Sequence, residues 1–196
     1  MKSKENIYEN IDFIGILDAD CFPTNKYFEY LIYFLNNNQH IGITSGIIKD
    51  LEGKLHSIND DHVRGSGRIW RKRCFEEAGY IVGLSADTLS SAKAIIRGWE
   101  VKPYKKAVMV SRLAGSKHGH GYYGRACYYR GSIFIYAMLR SMKQFLALNI
   151  REAVQFFYGY FMSYVKSEKR IDDKEILEYF RSAVKRKLKN LIKVKK

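Results

Sequence analysis

Two aspartates one residue apart, Asp18 and Asp20, follow the short apolar run Phe13-Ile14-Gly15-Ile16-Leu17. Carboxylates at that spacing, where a chain leaves a strand, can share a hard divalent cation and the phosphate it carries, because such cations take oxygen ligands. An acidic strand-end turn has the same pattern, so D-x-D alone does not choose. Asp87 is a third acid of interest. It reads first as a helix N-cap, and a carboxylate there can also act as a general base if a substrate proton comes within hydrogen-bond reach. His118 and His120 stand in a basic, glycine-rich stretch, Gly115 to Gly121, where phosphate contact, metal ligation and plain exposure are all open to them. No H-x-x-x-H or H-E-x-x-H spacing supports zinc, and no G-K-[ST] follows to make a P-loop. Arg71, Lys72 and Arg73 read as a solvated helix face, with Arg68 or Arg71 the candidates to meet an anionic ligand. Cys74 has no triad partner and reads as structural.

These residues need elements to hold them. Phe13 to Leu17 predicts a buried parallel strand. Pro23 and Thr24 are expected to open a helix whose Tyr27, Tyr30, Leu31 and Phe34 follow i, i+3, i+4, i+7, closed by Asn36-Asn37-Asn38. Ile41 to Ile48 reads as a second strand and Asp50 to Gly53 as a turn. After Gly65-Ser66-Gly67 the pattern predicts a helix through Trp70 and Phe75, stopped at Gly79. Asp87 then caps a helix bearing Leu89, Ala92, Ile95 and Ile96, with Gly98 at its exit. Val101 and Ala107 to Val110 are strand-like. Strands alternating with helices give an α/β class.

Composition shifts near Gly115. Beyond the glycine-rich basic loop, Ile135, Met138, Met142, Phe145 and Leu146 share one side of a predicted helix, while Arg140, Lys143, Gln144 and Arg151 gather on another. A second helix carries Phe156, Phe157, Tyr160, Phe161 and Tyr164. From Arg181 onward lysine and arginine dominate.

The whole chain has 196 residues, a net charge of +14, 46% hydrophobic residues and two prolines, which excludes a disordered or collagen-like chain. Three cysteines without a C-x-x-C pair make no disulfide framework and fit a reducing, cytoplasmic compartment. The first residues, MKSKENIYENIDF, lack the apolar region of a signal peptide. No run of about 18 uncharged apolar residues predicts a bilayer-spanning helix. Fifteen tyrosines and the positive charge suit a nucleic-acid-binding module. However, no RNP, KH or helix-turn-helix signature occurs, and the aromatics fall on helix-like apolar stripes, so no nucleic acid is expected. The amphipathic, basic C-terminal third reads in two ways: as a membrane-surface module, which would place the chain at the inner face of a cell membrane, or as helices packed on the preceding α/β part with a solvated tail.

Three segments in order resemble family 2 glycosyltransferases of the GT-A fold. ILDADCFPTNKYFEYLIYFL resembles their acidic-motif segment, RGSGRIWRKRCFEEAGYI their acceptor-side segment, and LSADTLSSAKAIIRGWEVKP the helix bearing their catalytic aspartate. GSKHGHGYYGRACYYRG continues the similarity, and YGYFMSYV is similar to the C-terminal extension of polysaccharide-type members.

The resemblance implies a partial GT-A domain over residues 1–114 and a helical, basic extension over 115–196. Asp18 matches the acid that holds the sugar nucleotide, with Arg68 and His118 beside it as donor-binding candidates. Asp20 matches the ligand of Mg²⁺ or Mn²⁺ on the diphosphate, with Asp18 shared, and Asp87 matches the general base. The implied reaction is a single inverting displacement from a nucleotide sugar to a saccharide or lipid-linked acceptor. Two departures stand out. Ala86 replaces the acid that usually precedes the catalytic aspartate. No VxIPxYNE-like strand or D-D-G-S-like turn precedes Asp18, so the expectation is the C-terminal part of such an enzyme, with a separate chain as one source of the front half.

Overall fold

Ile69 and Trp70 are neighbours on one strand, both buried, and they face opposite ways. That alternation is what a sheet covered on both sides requires. The computed structural model describes residues 8, 10–53, 55, 63–111 and 119–186. The chain divides into two units, residues 1–82 with 86–114, and residues 83–85 with 115–196.

The first unit runs β1 (Phe13–Ile16), β2 (Cys21–Pro23), α1 (Tyr27–Asn37), β3 (Ile41–Ser45), β4 (Ile47–Lys49), β5 (Arg68–Arg71), α2 (Lys72–Ala78), α3 (Ala86–Ile96), β6 (Glu100–Val101) and β7 (Val108–Ser111). One sheet has the order β1-β5-β3-β6 and a second the order β2-β7-β4. Ile69 packs with Tyr27, Leu31 and Leu35 of α1, while Trp70 packs with Cys74 and Ala78 of α2 and Ala94 of α3. Burying each of these leucines is worth about 2 kcal/mol, which makes the apolar stripe of α1 its reason to form. The unit is mixed α/β.

Four local readings change. β1 is antiparallel to β5 and only half-buried, with Gly15 exposed, because β5 rather than a parallel neighbour lies beside it. Pro23 ends β2 and α1 starts at Tyr27; Thr24 is held instead by its Oγ1, which donates to Val108 O at 2.9 Å. The run Ile41 to Ile48 breaks at Gly46 into strands of different sheets. A Cβ on Gly46 would strike Ala107 O and the Tyr27 ring, so only glycine lets the backbone pass there. Residues 68–71 are a strand, and the helix begins only at Lys72. The Asp50 turn forms as expected, with Gly53 N–H donating to Asp50 O at 3.0 Å.

The second unit contains α4 (Gly119–Tyr129), α5 (Phe134–Leu146), α6 (Ile150–Val165) and α7 (Lys174–Arg181). Gly119, Gly121 and Gly124 have G-x-G-x-x-G spacing but sit in one helix, so this part of the expected loop is helical. The glycines serve helix contact: a Cβ on Gly124 would strike Phe156 O, and one on Gly159 would strike Gly121 O. Cys127, Tyr128, Ala137, Phe156 and Tyr160 form the core, and Tyr160 Oη donates to Ser132 O at 2.7 Å. Asp173 caps α7 by accepting from Ile176 N at 3.1 Å, a contact worth about 1 kcal/mol. The residues 187–196 of the basic tail lie outside the described residues.

Candidate functional site

Ile16 of β1 and Ser45 of β3 both pair with Arg68 of β5. The carboxyl ends of β1 and β3 therefore meet the amino end of β5 at one edge of the sheet, where open α/β sheets carry ligands. The chain leaving β1 supplies Asp18 and Asp20. The chain entering β5 supplies Gly65, Ser66 and Gly67. Cys21 N–H donates to Asp18 O at 3.1 Å and closes the tight turn that carries both acids.

The two incoming segments are joined. Asp18 N–H donates to Ser66 Oγ at 2.9 Å. Next to Ser66, Gly65 lies flat against Asp87: a Cβ there would be 3.3 Å from Asp87 Cβ and 3.7 Å from its Oδ2. Gly65 and Ser66 thus bridge the D-x-D turn to Asp87, which is half-buried in the first turn of α3. Asp87 is not the N-cap, because the helix already includes Ala86; Ser85 before it has a φ of 63°.

Carboxylate oxygens of Asp18 and Asp20 and the Sγ of Cys21 lie within 4.8 Å of one another. Both acids are exposed and Cys21 is buried. The Cys21 thiol donates to Ser111 Oγ at 3.3 Å, so it reads as scaffold beneath the turn. Two carboxylates in reach of one point, open to solvent, are a donor set suited to Mg²⁺ or Mn²⁺ rather than to a thiolate-seeking metal.

Arg68 is placed differently from its expected role as a donor-binding residue. It is fully buried, and every nitrogen of its guanidinium donates inward: Nε to Arg64 O at 2.6 Å, Nη1 to Asp87 O at 3.0 Å and Nη2 to Val63 O at 3.0 Å. Burial pulls its pKa below the ordinary arginine value, and the nearby Asp87 charge opposes that pull. Arg68 therefore supports the loop and the start of α3 from below. Buried in this way, the guanidinium presents no face to a substrate phosphate.

His120 belongs to α4 in the second unit, with Nε2 3.5 Å from Glu152. His118 lies outside the described residues. Arg71, the other anion candidate, sits at the far end of β5, where its Nη2 donates to Leu35 O at 2.6 Å. There Arg71, Lys72 and Arg73 line an open hollow of about 580 Å³ together with Asp12 and Glu76, at the opposite end of β1 from Asp18. It does not include the three acids.

Ser66 and Gly65 escape periodicity, and Tyr27, which periodicity places only on the apolar stripe of α1, also helps to build the site. Tyr27 Oη accepts from Gly46 N–H at 2.8 Å and donates to Gly67 O at 2.7 Å, pinning the loop that carries Ser66. Burial pushes the Tyr27 phenol up to about 12. Gly67 has a φ of 65°, and a Cβ on it would be 2.6 Å from Tyr27 Oη. The small-residue triplet Gly65-Ser66-Gly67 was the available signal: three such residues before a strand mark close backbone approach.

No family model matches the chain, and no curated protein matches it in sequence. Among solved structures it is similar to TarS of S. aureus. One crystal structure of TarS aligns at a TM-score of 0.41 and 10% identity, over 64% of this chain and 26% of that one. A crystal structure of TarS 1-349 aligns at a TM-score of 0.44 and 10% identity, over 82% of this chain and 50% of that one. The chain thus spans about half the length of the TarS 1-349 chain it is similar to.

Proposed function

We propose that the first unit is the catalytic-acid part of an inverting glycosyltransferase of family 2 type. It would act in glycan or polysaccharide synthesis, moving a sugar from a nucleoside diphosphate sugar to a hydroxyl of a saccharide or lipid-linked acceptor. One observation carries this reading: Gly65 and Ser66 tie the Asp18-Ala19-Asp20 turn to Asp87 at one edge of the sheet. The resemblance of three ordered segments supports it, because those segments supply these same residues.

Asp18 and Asp20 are the residues that would hold Mg²⁺ or Mn²⁺. When bound, such an ion neutralises charge on a diphosphate and so stabilises it as a leaving group. Asp87 then takes the acceptor hydroxyl proton as that oxygen bonds to the anomeric carbon. The bond from that carbon to the phosphate oxygen breaks, and the nucleoside diphosphate leaves with the electron pair. One displacement inverts the configuration. Arg68 and Ser66 hold the two acid-bearing segments in register and touch no substrate.

Calorimetry of the full chain with Mn²⁺ and UDP tests the binding half of this reading. The expected result is Mn²⁺-dependent UDP binding that Asp20→Asn reduces at least tenfold while the melting curve is unchanged. Binding that needs no Mn²⁺, or that Asp20→Asn leaves intact, would overturn it.

A further inference from the structure

The charge of this protein is concentrated in one unit. Residues 115–196 hold eighteen Lys and Arg against six Asp and Glu, a net of +12 out of the chain's +14. The same unit carries a broad apolar surface. An open groove of about 440 Å³ runs between α5 and α6, walled by Met138, Met142, Phe145, Val154, Phe157 and Phe161. Next in sequence to Phe145, Leu146 ends α5 and Leu148 lies in the turn after it, 79% and 85% exposed. Leaving such side chains in water is unfavourable, and a contiguous apolar patch of this kind marks an interaction surface. No helix among the described residues is long and apolar enough to cross a membrane.

We infer that the α5–α6 face docks on the surface of a bilayer containing anionic lipids. Charge complementarity selects that occupant. Pairing the groove with a second copy would bring two strongly positive units together, whereas an anionic headgroup layer attracts the same charge and offers acyl chains to the groove. The cations are suitably placed. Lys143 and Arg151 are exposed on the two helices that form the groove, and Lys166 is exposed at the end of α6. Arg140, half-buried on α5, lies with its guanidinium 4.6 Å from the Phe156 ring. Amphipathic helices of this type lie in the interface plane with the apolar face inward, and nearby Lys and Arg strengthen the attachment.

Flotation of the full chain with vesicles tests this, using phosphatidylcholine alone and phosphatidylcholine mixed with phosphatidylglycerol. The expected result is strong binding to the mixed vesicles and little to the neutral ones. Phe145→Ser with Leu146→Ser, both exposed and charge-neutral changes, lowers binding to the mixed vesicles about tenfold or more at an unchanged circular dichroism spectrum. Asp20→Asn does not alter flotation, which separates this inference from the proposed reaction. Absence of binding to mixed vesicles overturns the inference, and so does binding insensitive to the double serine change. A dimer in sedimentation that the double change dissolves, without vesicle binding, assigns the groove to a second copy instead.

Discussion

The main-chain N–H of Asp18 donates to the hydroxyl of Ser66 at 2.9 Å, although the two residues are 48 positions apart. This bond fixes where the D-x-D turn begins. A donor of this kind, partly withdrawn from water, costs about 1–3 kcal/mol if left without an acceptor. The turn is therefore positioned by the loop that also rests on Asp87, not by β1 alone.

Ser66→Ala removes that acceptor and leaves the acids in place. Its expected effect is a loss of about 1 kcal/mol in stability and a weakening of Mn²⁺·UDP binding by about fivefold, since the two carboxylates no longer share one fixed geometry. Ser66→Thr keeps the hydroxyl and recovers most of the binding. Calorimetry on both variants checks this; equal binding by Ser66→Ala and the parent protein would mean that the bond does not hold the turn.

Arg68→Met is expected to destabilise the first unit by about 3 kcal/mol, because the carbonyls of Val63 and Arg64 lose the guanidinium donor together and Asp87 O keeps only its Ser91 partner. Arg68→Lys recovers little, since an ammonium cannot reproduce a planar fork with separate directions. Urea unfolding measures both. A near-neutral Arg68→Lys would show that charge alone, rather than the three-way geometry, is what the loop needs.

These two residues also mark the limit of sequence reading. The strand-end position of Asp18 and Asp20 was legible because it is local, whereas Asp87 was read as an N-cap and lies inside the first turn of α3. Arg68 was read as a ligand contact because a sequence does not show that three backbone carbonyls converge on it. The α1 helix was legible from its period, although Leu35 rather than the exposed Tyr30 completes its buried stripe. Arg68-Ile69-Trp70-Arg71 is too short to display a period, so a strand was read as helix. The break at Gly46 was hidden for another reason. An apolar run looks continuous until its two halves are seen to pair with β5 and β7 in separate sheets. The glycines of α4 resembled a loop because their use, close contact with α6, depends on a partner far along the chain.

The pH dependence of stability follows from buried acids that stay neutral. Burial pushes the Cys74 thiol from 9.0 up to about 12, and the Tyr27 and Tyr160 phenols from 10.0 up to about 12. Each folded value lies above the unfolded one, so above about pH 9 the unfolded chain releases protons that the folded chain retains. Their stabilisation is complete below that pH and is lost as pH rises toward 12. Melting temperature is expected to be flat from neutrality to about pH 9 and to fall steadily above it. Cys74→Ala lowers the whole curve through its cavity but makes the early part of the fall shallower. An unchanged slope in that variant would remove Cys74 from the account.

Gly159→Ala offers a test by sign. In an ordinary helix this change stabilises by about 1 kcal/mol, because alanine is the better helix former. Here a Cβ on Gly159 would strike Gly121 O, so α4 and α6 must separate. The expected outcome is a loss of about 1–3 kcal/mol, as for overpacking in a close contact. Thermal unfolding followed by circular dichroism decides it, and a raised melting temperature would show that the two helices are not held at glycine distance.

Asp87→Asn separates chemistry from binding within the proposed reaction. The amide keeps the size of the side chain and leaves the main-chain oxygen that accepts from Arg68, but it removes the charge beside the buried Arg68 cation, so the fold is expected to be kept at a somewhat lower melting temperature. Because Asp87 sits across Gly65 from the D-x-D turn rather than in it, Mn²⁺·UDP binding is expected to stay within about twofold of the parent. Sugar transfer, measured as UDP released in the presence of acceptor, should instead fall by a factor of about 100 or more, the usual contribution of a general base. Asp20→Asn has the opposite signature, losing binding and transfer together. If Asp87→Asn transferred at the parent rate while Asp20→Asn did not, proton removal would have to be assigned to another group at this sheet edge.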